Sequence, residues 1–182
     1  MNHNTKLEVA TLAGGCFWCL EAVFREVEGV ENVIPGYTDG TTINPTYEQV
    51  CSDKTGHAEA VQITFNPAII SYPEILDIFF SIHDPTTLNR QGEDIGKRYR
   101  SAIFYHNEQQ AIYAQALILH LHRERIWTGS IVTQITPFEK FYPAEEYHRD
   151  YFSHHLEQAY CQAVISPKVS KFRKEWASLL KK

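Results

Sequence analysis

The sequence predicts a layered α+β domain in which helices pack against a sheet, and three observations support that prediction. The chain has 182 residues with 43% hydrophobic content, enough for one ordinary core. Segments with strand periodicity and helix periodicity alternate loosely along it. No repeat, low-complexity tract or linker divides the sequence. We therefore expect residues 1–182 to form a single domain, with a short basic tail after about residue 161.

The first strand and the first helix are predicted on either side of two glycines. Glu8–Ala13 has the composition of a short buried strand, which ends at Gly14-Gly15. Apolar residues then recur at helical spacing until Gly29. Cys16 is therefore expected at the amino terminus of a helix.

Two long irregular stretches, residues 36–56 and 84–98, are too long for ordinary connections. Loops of that kind in compact domains are often functional, so we expect site residues in them. The strand that follows the first stretch places Glu59 on the same parity as Val61 and Ile63. Glu59 is thus predicted to lie on the apolar face of this strand.

Capping signals and periodicity predict the remaining elements. Ser71-x-x-Glu74 is a capping box that opens a helix ending near Asp84-Pro85, and Asn107 caps another helix. Further elements are strands at residues 99–105 and 131–135, and a polar helix from residue 144 to about 156.

Charge and composition argue against several classes of function. The 17 Lys and Arg residues oppose 22 Asp and Glu residues, giving a net charge of −5 and a pI near 6.0. This balance argues against nucleic acid and anionic membranes as partners. Residues 1–6 are polar, and no later stretch is long and apolar enough to cross a bilayer. We expect a cytoplasmic protein, monomeric by default, whose four cysteines indicate catalysis, redox chemistry or metal binding.

Cys16 carries the strongest signal for chemistry. The free N–H groups and the dipole at a helix amino terminus stabilise a thiolate. Phe17 and Trp18 place two large apolar side chains beside this cysteine, and such surroundings suit a methylthio group. The spacing Cys16-x-x-Cys19 is less specific, because zinc ligands and thioredoxin-type redox pairs share it, and Cys19 could also be a buried inert thiol.

Four other side chains are candidates with weaker signals. Glu59 is either a solvated carboxyl at the frayed end of its strand or a buried carboxyl kept neutral, which could donate a proton. Tyr47 and Tyr99 could offer phenolic donors, although packing alone is the simpler explanation for each. Asp94 by itself is typical of a solvated loop acid.

In their order along the chain, these features resemble the motifs of the A-type peptide methionine sulfoxide reductases. The motifs cover roughly residues 9–161, and agreement of so many in one order is implausible by chance. They are Gly14-Gly15-Cys16-Phe17-Trp18-Cys19, Gly36-Tyr37, Asn44-Pro45-Thr46-Tyr47-Glu48-Gln49-Val50-Cys51, Gly56-His57-Ala58-Glu59-Ala60-Val61, Asp84-Pro85-Thr86, Gln91-Gly92-x-Asp94-x-Gly96, Tyr99-Arg100-Ser101 and Ala144-Glu145-x-Tyr147-His148.

The resemblance implies a fold, a reaction and a role for each candidate residue. The fold is a two-layer α/β sandwich, related to ferredoxin-like folds, with a mixed sheet and long irregular loops. The reaction reduces the S epimer of methionine sulfoxide, free or in proteins, to methionine, and so repairs oxidised proteins. No metal or bound cofactor is implied, and thioredoxin, or dithiothreitol in vitro, is the reductant. The implied roles are Cys16 as nucleophile, Glu59 as proton donor, Tyr47 and Tyr99 as donors to the sulfoxide oxygen, Asp94 as a polar support, and Phe17 and Trp18 as the pocket for the methyl group.

The resemblance leaves the resolving thiol open. The reaction would leave a sulfenic acid on Cys16, which a second thiol then converts to a disulfide. Many relatives carry that thiol in a glycine-rich carboxyl-terminal tail, whereas no glycine follows Cys161 in this chain. We rank Cys161 slightly above Cys19 as the resolving thiol, and Cys51 below both.

Three other functions fit parts of the sequence. A thiol-disulfide oxidoreductase would use Cys16 and Cys19 as its redox pair. A zinc-stabilised module would use the cysteines with His57, and a cysteine acyl-transfer enzyme would pair Cys16 with His57. His148, one helical turn after Glu145, is expected to be a hydrogen-bonded structural histidine rather than half of a metal site.

Overall fold

The computed structural model describes residues 5–182 and is built around a six-stranded sheet. The strands are β1 (Glu8–Ala13), β2 (Val30–Thr38), β3 (Ala58–Phe65), β4 (Arg90–Gln91), β5 (Asp94–Ile95), β6 (Ala102–Tyr105), β7 (Gln134–Pro137) and β8 (Phe141–Pro143). The sheet has the order β7-β6-β1-β3-β2-β8, and β4 pairs with β5 in a separate ribbon. Only β6 and β7 run parallel within the described sheet, so the expected mixed sheet is confirmed.

Six α-helices within residues 5–182 pack against this sheet or against one another. They are α1 (Phe17–Phe24), α2 (Tyr47–Cys51), α3 (Tyr72–Ile82), α4 (Glu108–Arg123), α5 (Tyr151–His154) and α6 (Ser166–Glu175). Helix α1 contacts β2, β3 and α6, while α3 contacts α4 and α6. In the part of the chain that the structure describes, no helix is long and apolar enough to span a membrane.

The main hydrophobic core lies between the sheet and the helices, which gives the two layers of an α+β fold. Its largest fully buried side chains include Phe17 and Phe24 of α1, Phe65 of β3 and Phe79 of α3. The opposite face of the sheet carries a smaller cluster of alanines with Phe104. The predicted fold class is therefore confirmed.

The sheet register brings two distant segments together. β1 and β3 are antiparallel, with Leu12 opposite Val61, so the end of β1 lies beside the start of β3. Cys16 follows the end of β1, and Glu59 is the second residue of β3. β2 also ends there, with Tyr37 opposite Glu59. Directly opposed residues point to the same face of a sheet, so the side chains of Tyr37 and Glu59 lie on one face. They lie at the end of the sheet where β1 leads into Cys16.

Several predicted boundaries differ from the structure. The expected helix from 144 to about 156 is wrong: the chain forms a 3₁₀ turn at Glu146–His148 and then the short α5. Asp150 separates the two because its backbone is left-handed, with φ of 51°, and its N–H donates to Glu21 Oε1 at 2.8 Å. The strand predicted at 131–135 lies at Gln134–Pro137 instead.

The segment after residue 161, expected to be only a short basic tail, is folded onto the core. A π-helical turn, Cys161–Ile165, continues into α6. Val169 and Phe172 of this helix are buried, so the segment forms part of the helical layer.

Candidate active site

Two glycines shape the turn that presents Cys16. Gly15 has a φ of 91°, and a Cβ atom there would lie 2.7 Å from Gln91 Cγ, so both backbone conformation and space require glycine. Cys16 is the N-cap residue of α1, with φ of −61° and ψ of 127°. The sequence prediction of a cysteine at a helix amino terminus, reached through a close backbone approach, is confirmed.

The Cys16 thiol is buried, and burial affects its pKa more than the helix amino terminus does. Its residue is 6% exposed. Among the described residues the side chain makes no capping hydrogen bond, although the nearby Trp18 backbone N–H acts to lower the pKa of the thiol, as expected at a helix start. Burial nevertheless raises the pKa of Cys16 well above its usual value, and the neighbouring Cys19 thiol and Glu59 add to this. The resting side chain is therefore a thiol, which differs from the thiolate that the sequence suggested.

Of the two alternatives for Glu59, a solvated carboxyl or a buried one, the structure shows the buried carboxyl. It is 1% exposed, and its Oε1 accepts a hydrogen bond from the Phe17 backbone N–H at 3.2 Å. Burial raises its pKa to about 8, although the Phe17 N–H and the Arg98 charge act in the opposite direction. Near pH 7 most of this carboxyl is consequently protonated and able to donate a proton.

The structure brings both candidate tyrosines into the electrostatic range of Glu59. Tyr47 is the first residue of α2, and Tyr99 ends the 3₁₀ turn Lys97–Tyr99. Burial, and next the charge of Glu59, raise the pKa of each phenol. Both hydroxyls therefore stay protonated and can act as hydrogen-bond donors at neutral pH.

An aromatic cluster lies against the nucleophile. Phe17 is fully buried, and its ring centroid lies 6.4 Å from that of Tyr47 and 6.4 Å from that of Trp18. Trp18 also stacks on Tyr151, with centroids 3.7 Å apart and planes 5° from parallel. The indole is thus held on one face by Tyr151 and lies beside the rings of Phe17 and Tyr47.

Asp94 is tied to a residue that sequence reasoning did not select. Its Oδ2 accepts a hydrogen bond of 2.6 Å from the Tyr160 hydroxyl. Tyr160 is also near Cys19, where it acts to lower the pKa of that thiol. Asp94 is therefore linked to the cysteine pair through Tyr160, and the only sequence signal for Tyr160 was its position next to Cys161.

Glu145 holds two parts of the site together, and sequence reasoning missed this role as well. One of its carboxyl oxygens accepts from the Tyr37 hydroxyl at 3.0 Å, and the other accepts from the Tyr47 backbone N–H at 2.9 Å. Both Tyr37 and Glu145 lie in motifs that the sequence displays, but nothing in the sequence indicated that they meet. Their contact joins the end of β2 to the start of α2.

His148 is a hydrogen-bonded structural histidine, as predicted. It is fully buried, and its Nδ1 accepts from the Trp18 Nε1–H at 3.0 Å. The proton of this neutral ring must therefore be on Nε2, which has no hydrogen-bond partner among the described residues. Burial lowers the pKa of His148 to about 4, so the ring stays neutral and keeps this role.

Arg98, which sequence reasoning also missed, joins the two irregular stretches. Its Nη1 lies 2.6 Å from Asp53 Oδ2 and 3.1 Å from the carbonyl oxygen of Cys51. Its guanidinium carbon lies 4.5 Å from the centroid of the Tyr99 ring. Arg98 therefore positions Tyr99 and supplies the positive charge felt by Glu59.

All four cysteines lie within the described residues and are free thiols. Cys19 and Cys161 are buried, at 2% and 0% exposure, whereas Cys51 is half-buried. Cys16 and Cys19 are neighbours in the first turn of α1, and each affects the pKa of the other.

The structure provides no support for the two functions that needed His57. Its Nδ1 accepts from the Gly40 N–H at 3.0 Å, and its Nε2 lies 2.7 Å from the Thr42 carbonyl oxygen. Both ring nitrogens are thus used to hold the loop. Across residues 5–182, no three His, Cys, Asp or Glu side chains are grouped so as to bind a metal ion.

A buried thiol beside a neutral carboxylic acid, walled by aromatic rings, is an arrangement that fits a thiol-dependent oxidoreductase. The family model described as peptide methionine sulfoxide reductase matches residues 8–180. A curated relative from Saccharolobus solfataricus, named peptide methionine sulfoxide reductase MsrA, is 59% identical over 168 residues, covering 92% of this chain and 94% of its own. The chain belongs to the peptide methionine sulfoxide reductase family.

Solved structures agree with this assignment. Mxr1 from Saccharomyces cerevisiae in its reduced form superposes with a TM-score of 0.80 at 34% identity, covering 88% of this chain and 92% of Mxr1. The same yeast protein in complex with Trx2 gives a TM-score of 0.58 at 28% identity, covering 83% of this chain and 88% of Mxr1.

Proposed function

We propose that this chain reduces the S epimer of methionine sulfoxide, free or within proteins, with Cys16 as nucleophile and Glu59 as proton donor. The observation that carries the proposal is the buried Glu59, whose pKa of about 8 keeps it protonated beside Cys16. Attack of sulfur on a sulfoxide builds negative charge on the oxygen, and a neutral acid relieves that charge by protonation.

The reaction converts the Cys16 thiol and the sulfoxide into a sulfenic acid and a thioether. The sulfoxide sulfur gains two electrons and loses its oxygen, while Cys16 loses two electrons and gains that oxygen. Tyr47 and Tyr99 donate hydrogen bonds to the oxygen before it is transferred. Phe17 and Trp18 contact the methyl group. Asp94 acts as a polar support through its hydrogen bond to Tyr160.

The Cys16 sulfenic acid then condenses with a second thiol, and thioredoxin reduces the resulting disulfide. The complex of the yeast relative Mxr1 with Trx2 supports thioredoxin as the partner. These steps need no metal or bound cofactor. We also propose a monomer that works in the cytoplasm, where the four free thiols of the chain would be kept reduced.

The test is dithiothreitol-dependent reduction of separated S and R methionine sulfoxide by the wild type and by Cys16→Ser. We expect turnover of the S epimer alone, and loss of that turnover in the variant. Turnover of the R epimer, or unchanged turnover without the Cys16 thiol, would contradict the proposal.

A further inference from the structure

We infer that Glu21 is a positioning residue for substrate binding, which holds the Trp18 indole in place through the backbone of Asp150. This role rests on the proposed function, in which Phe17 and Trp18 contact the methyl group of the sulfoxide. Glu21 is three residues after Trp18 on α1, so the two side chains are neighbours on the helix surface.

Two contacts hold the indole of Trp18, and they come from residues on either side of Asp150. His148 accepts from the indole N–H at 3.0 Å, and the Tyr151 ring stacks on the indole with centroids 3.7 Å apart. His148 ends the 3₁₀ turn Glu146–His148, and Tyr151 begins α5. The backbone at Asp150 therefore decides whether both residues reach the indole at once.

Glu21 fixes the backbone at Asp150. Its Oε1 accepts a hydrogen bond from the Asp150 N–H at 2.8 Å. Asp150 has φ of 51° and ψ of 37°, a left-handed conformation that is unfavourable for residues other than glycine and persists where surrounding contacts fix it. The bond to Glu21 is such a contact, and it ties this change of chain direction directly to α1.

Arg25 also reaches Asp150, but its contact is the weaker of the two. Its Nη2 lies 3.3 Å from Asp150 Oδ2, and its side chain is 45% exposed, so water and salt screen the ion pair. The Glu21 side chain is 2% exposed. A hydrogen bond to a buried carboxyl keeps its strength because little water competes for the donor. Glu21 is thus the main polar link between α1 and Asp150.

The burial of Glu21 also indicates a positional role. Its second oxygen, Oε2, is buried and has no hydrogen-bond partner among residues 5–182. An apolar side chain could fill this space without the cost of burying a carboxyl, but it could not accept from the Asp150 N–H. Burial raises the pKa of Glu21 to about 7, and the carboxyl can accept at Oε1 in either protonation state, as the amide oxygen of glutamine would.

The experiment compares Glu21→Leu, which removes the acceptor, with Glu21→Gln, which keeps an oxygen in its place. The rate of the first turnover is measured without reductant at increasing concentrations of S-methionine sulfoxide. Glu21→Leu should raise the half-saturating concentration about tenfold and lower the limiting rate less than about threefold, because the pocket is disturbed while Cys16 and Glu59 are unchanged. Glu21→Gln should return the half-saturating concentration to within about threefold of the wild type.

Arg25→Ala is the matched control, because it removes the exposed contact to the same Asp150. Its half-saturating concentration should stay within about twofold of the wild type. A double-mutant cycle then tests the route through Tyr151. In a Tyr151→Leu background, where the stacked ring is gone, Glu21→Leu should add little to the half-saturating concentration.

Urea unfolding shows whether each variant is folded. If Glu21→Leu is not, Glu21→Asp takes its place, since the shorter side chain withdraws the acceptor from Asp150 and should also raise the half-saturating concentration. An unchanged value in the variant without the acceptor, no recovery in Glu21→Gln, or full additivity with Tyr151→Leu would overturn the inference and leave the proposed function intact. Absence of methionine in the wild-type first turnover would instead overturn the proposed function.

Discussion

Glu59 shows how one buried carboxyl can set the chemistry of a site. Its strand places it on the apolar face, and among residues 5–182 one backbone N–H, that of Phe17, donates to it. One such bond does not compensate for complete burial, so the proton is retained. A second or third donor would have made Glu59 an ordinary ionised carboxylate and removed the acid from beside Cys16.

Replacing Glu59 by Gln should slow the reduction step by about two to four orders of magnitude, because the acid is lost while the shape is kept. The rate of this step in the wild type should also fall as pH rises through about 8, where Glu59 loses its proton. Single-turnover rates across pH measure both effects, and alkylation of Cys16 provides the control for an intact site. Near-wild-type rates in Glu59→Gln would remove Glu59 from the mechanism.

His148 should influence catalysis only through Trp18. His148→Leu removes the acceptor of the indole N–H at the cost of about 1–3 kcal/mol for the donor left unpaired. We expect a higher KM and weaker discrimination between methyl and ethyl sulfoxides, with partial recovery in His148→Asn.

The control for this prediction is a double-mutant cycle with Trp18→Phe. If His148 acts by holding the indole, its replacement should add little once Trp18 is gone. Fully additive effects would show that His148 acts by another route.

At the scale of elements, the carboxyl-terminal segment packs against α1 and α3 and holds them together. α6 contacts both helices, and Arg173 makes a two-pronged contact with Glu26 just beyond α1. The Trp176 indole N–H also donates to Ser81 Oγ at 3.0 Å. A segment bound in this way is part of the folding unit.

Phe172→Ala should therefore destabilise the protein by about 3–5 kcal/mol, the usual cost of removing a buried phenylalanine ring. Lys174→Ala, at an exposed position on the same helix, is the matched control and should change stability by less than about 0.5 kcal/mol. Urea unfolding of the three proteins measures the difference. Equal stabilities would mean that α6 is dispensable to the fold.

Elements with a strong local pattern were predictable from the sequence, and those shaped by distant contacts were not. Alternation placed Glu59 correctly on the buried face of β3. β2 was not predicted, because Pro35 and Gly36 interrupt its pattern and β8 pairs with it only from Gly36 onwards. The segment after residue 144 could not be read as turns, since its conformation depends on Glu145 and His148 reaching partners about a hundred residues away or more.

Across the whole molecule, buried acids and buried histidines make stability depend on pH in opposite directions. Burial raises the pKa of Glu59 to about 8 and of Glu21 to about 7, so the stability they provide is complete below their unfolded value and is lost as pH rises through these pKa values. Burial lowers the pKa of His83 and His148 to about 4, so their contribution is lost as pH falls from 6.5 towards 4. The two effects oppose each other below pH 6.5.

Between about pH 6.5 and 8 the two histidines are already neutral, and the raised pKa values of Glu21 and Glu59 should make the free energy of unfolding fall with rising pH. Glu59→Gln cannot ionise and should show a smaller fall than the wild type. Denaturant titrations at three pH values in this range measure both slopes. Identical slopes would show that Glu59 keeps an ordinary pKa in the folded protein.

The burial of Cys16, Cys19 and Cys161 affects how the protein resists oxidants. Peroxide and similar oxidants attack sulfur according to its exposure and thiolate character, and only Cys51 among the cysteines has appreciable exposure. The chain also contains a single methionine, its first residue. A protein that works where methionine is being oxidised thus offers those oxidants almost no sulfur of its own, and can keep its activity under the conditions that create its substrate.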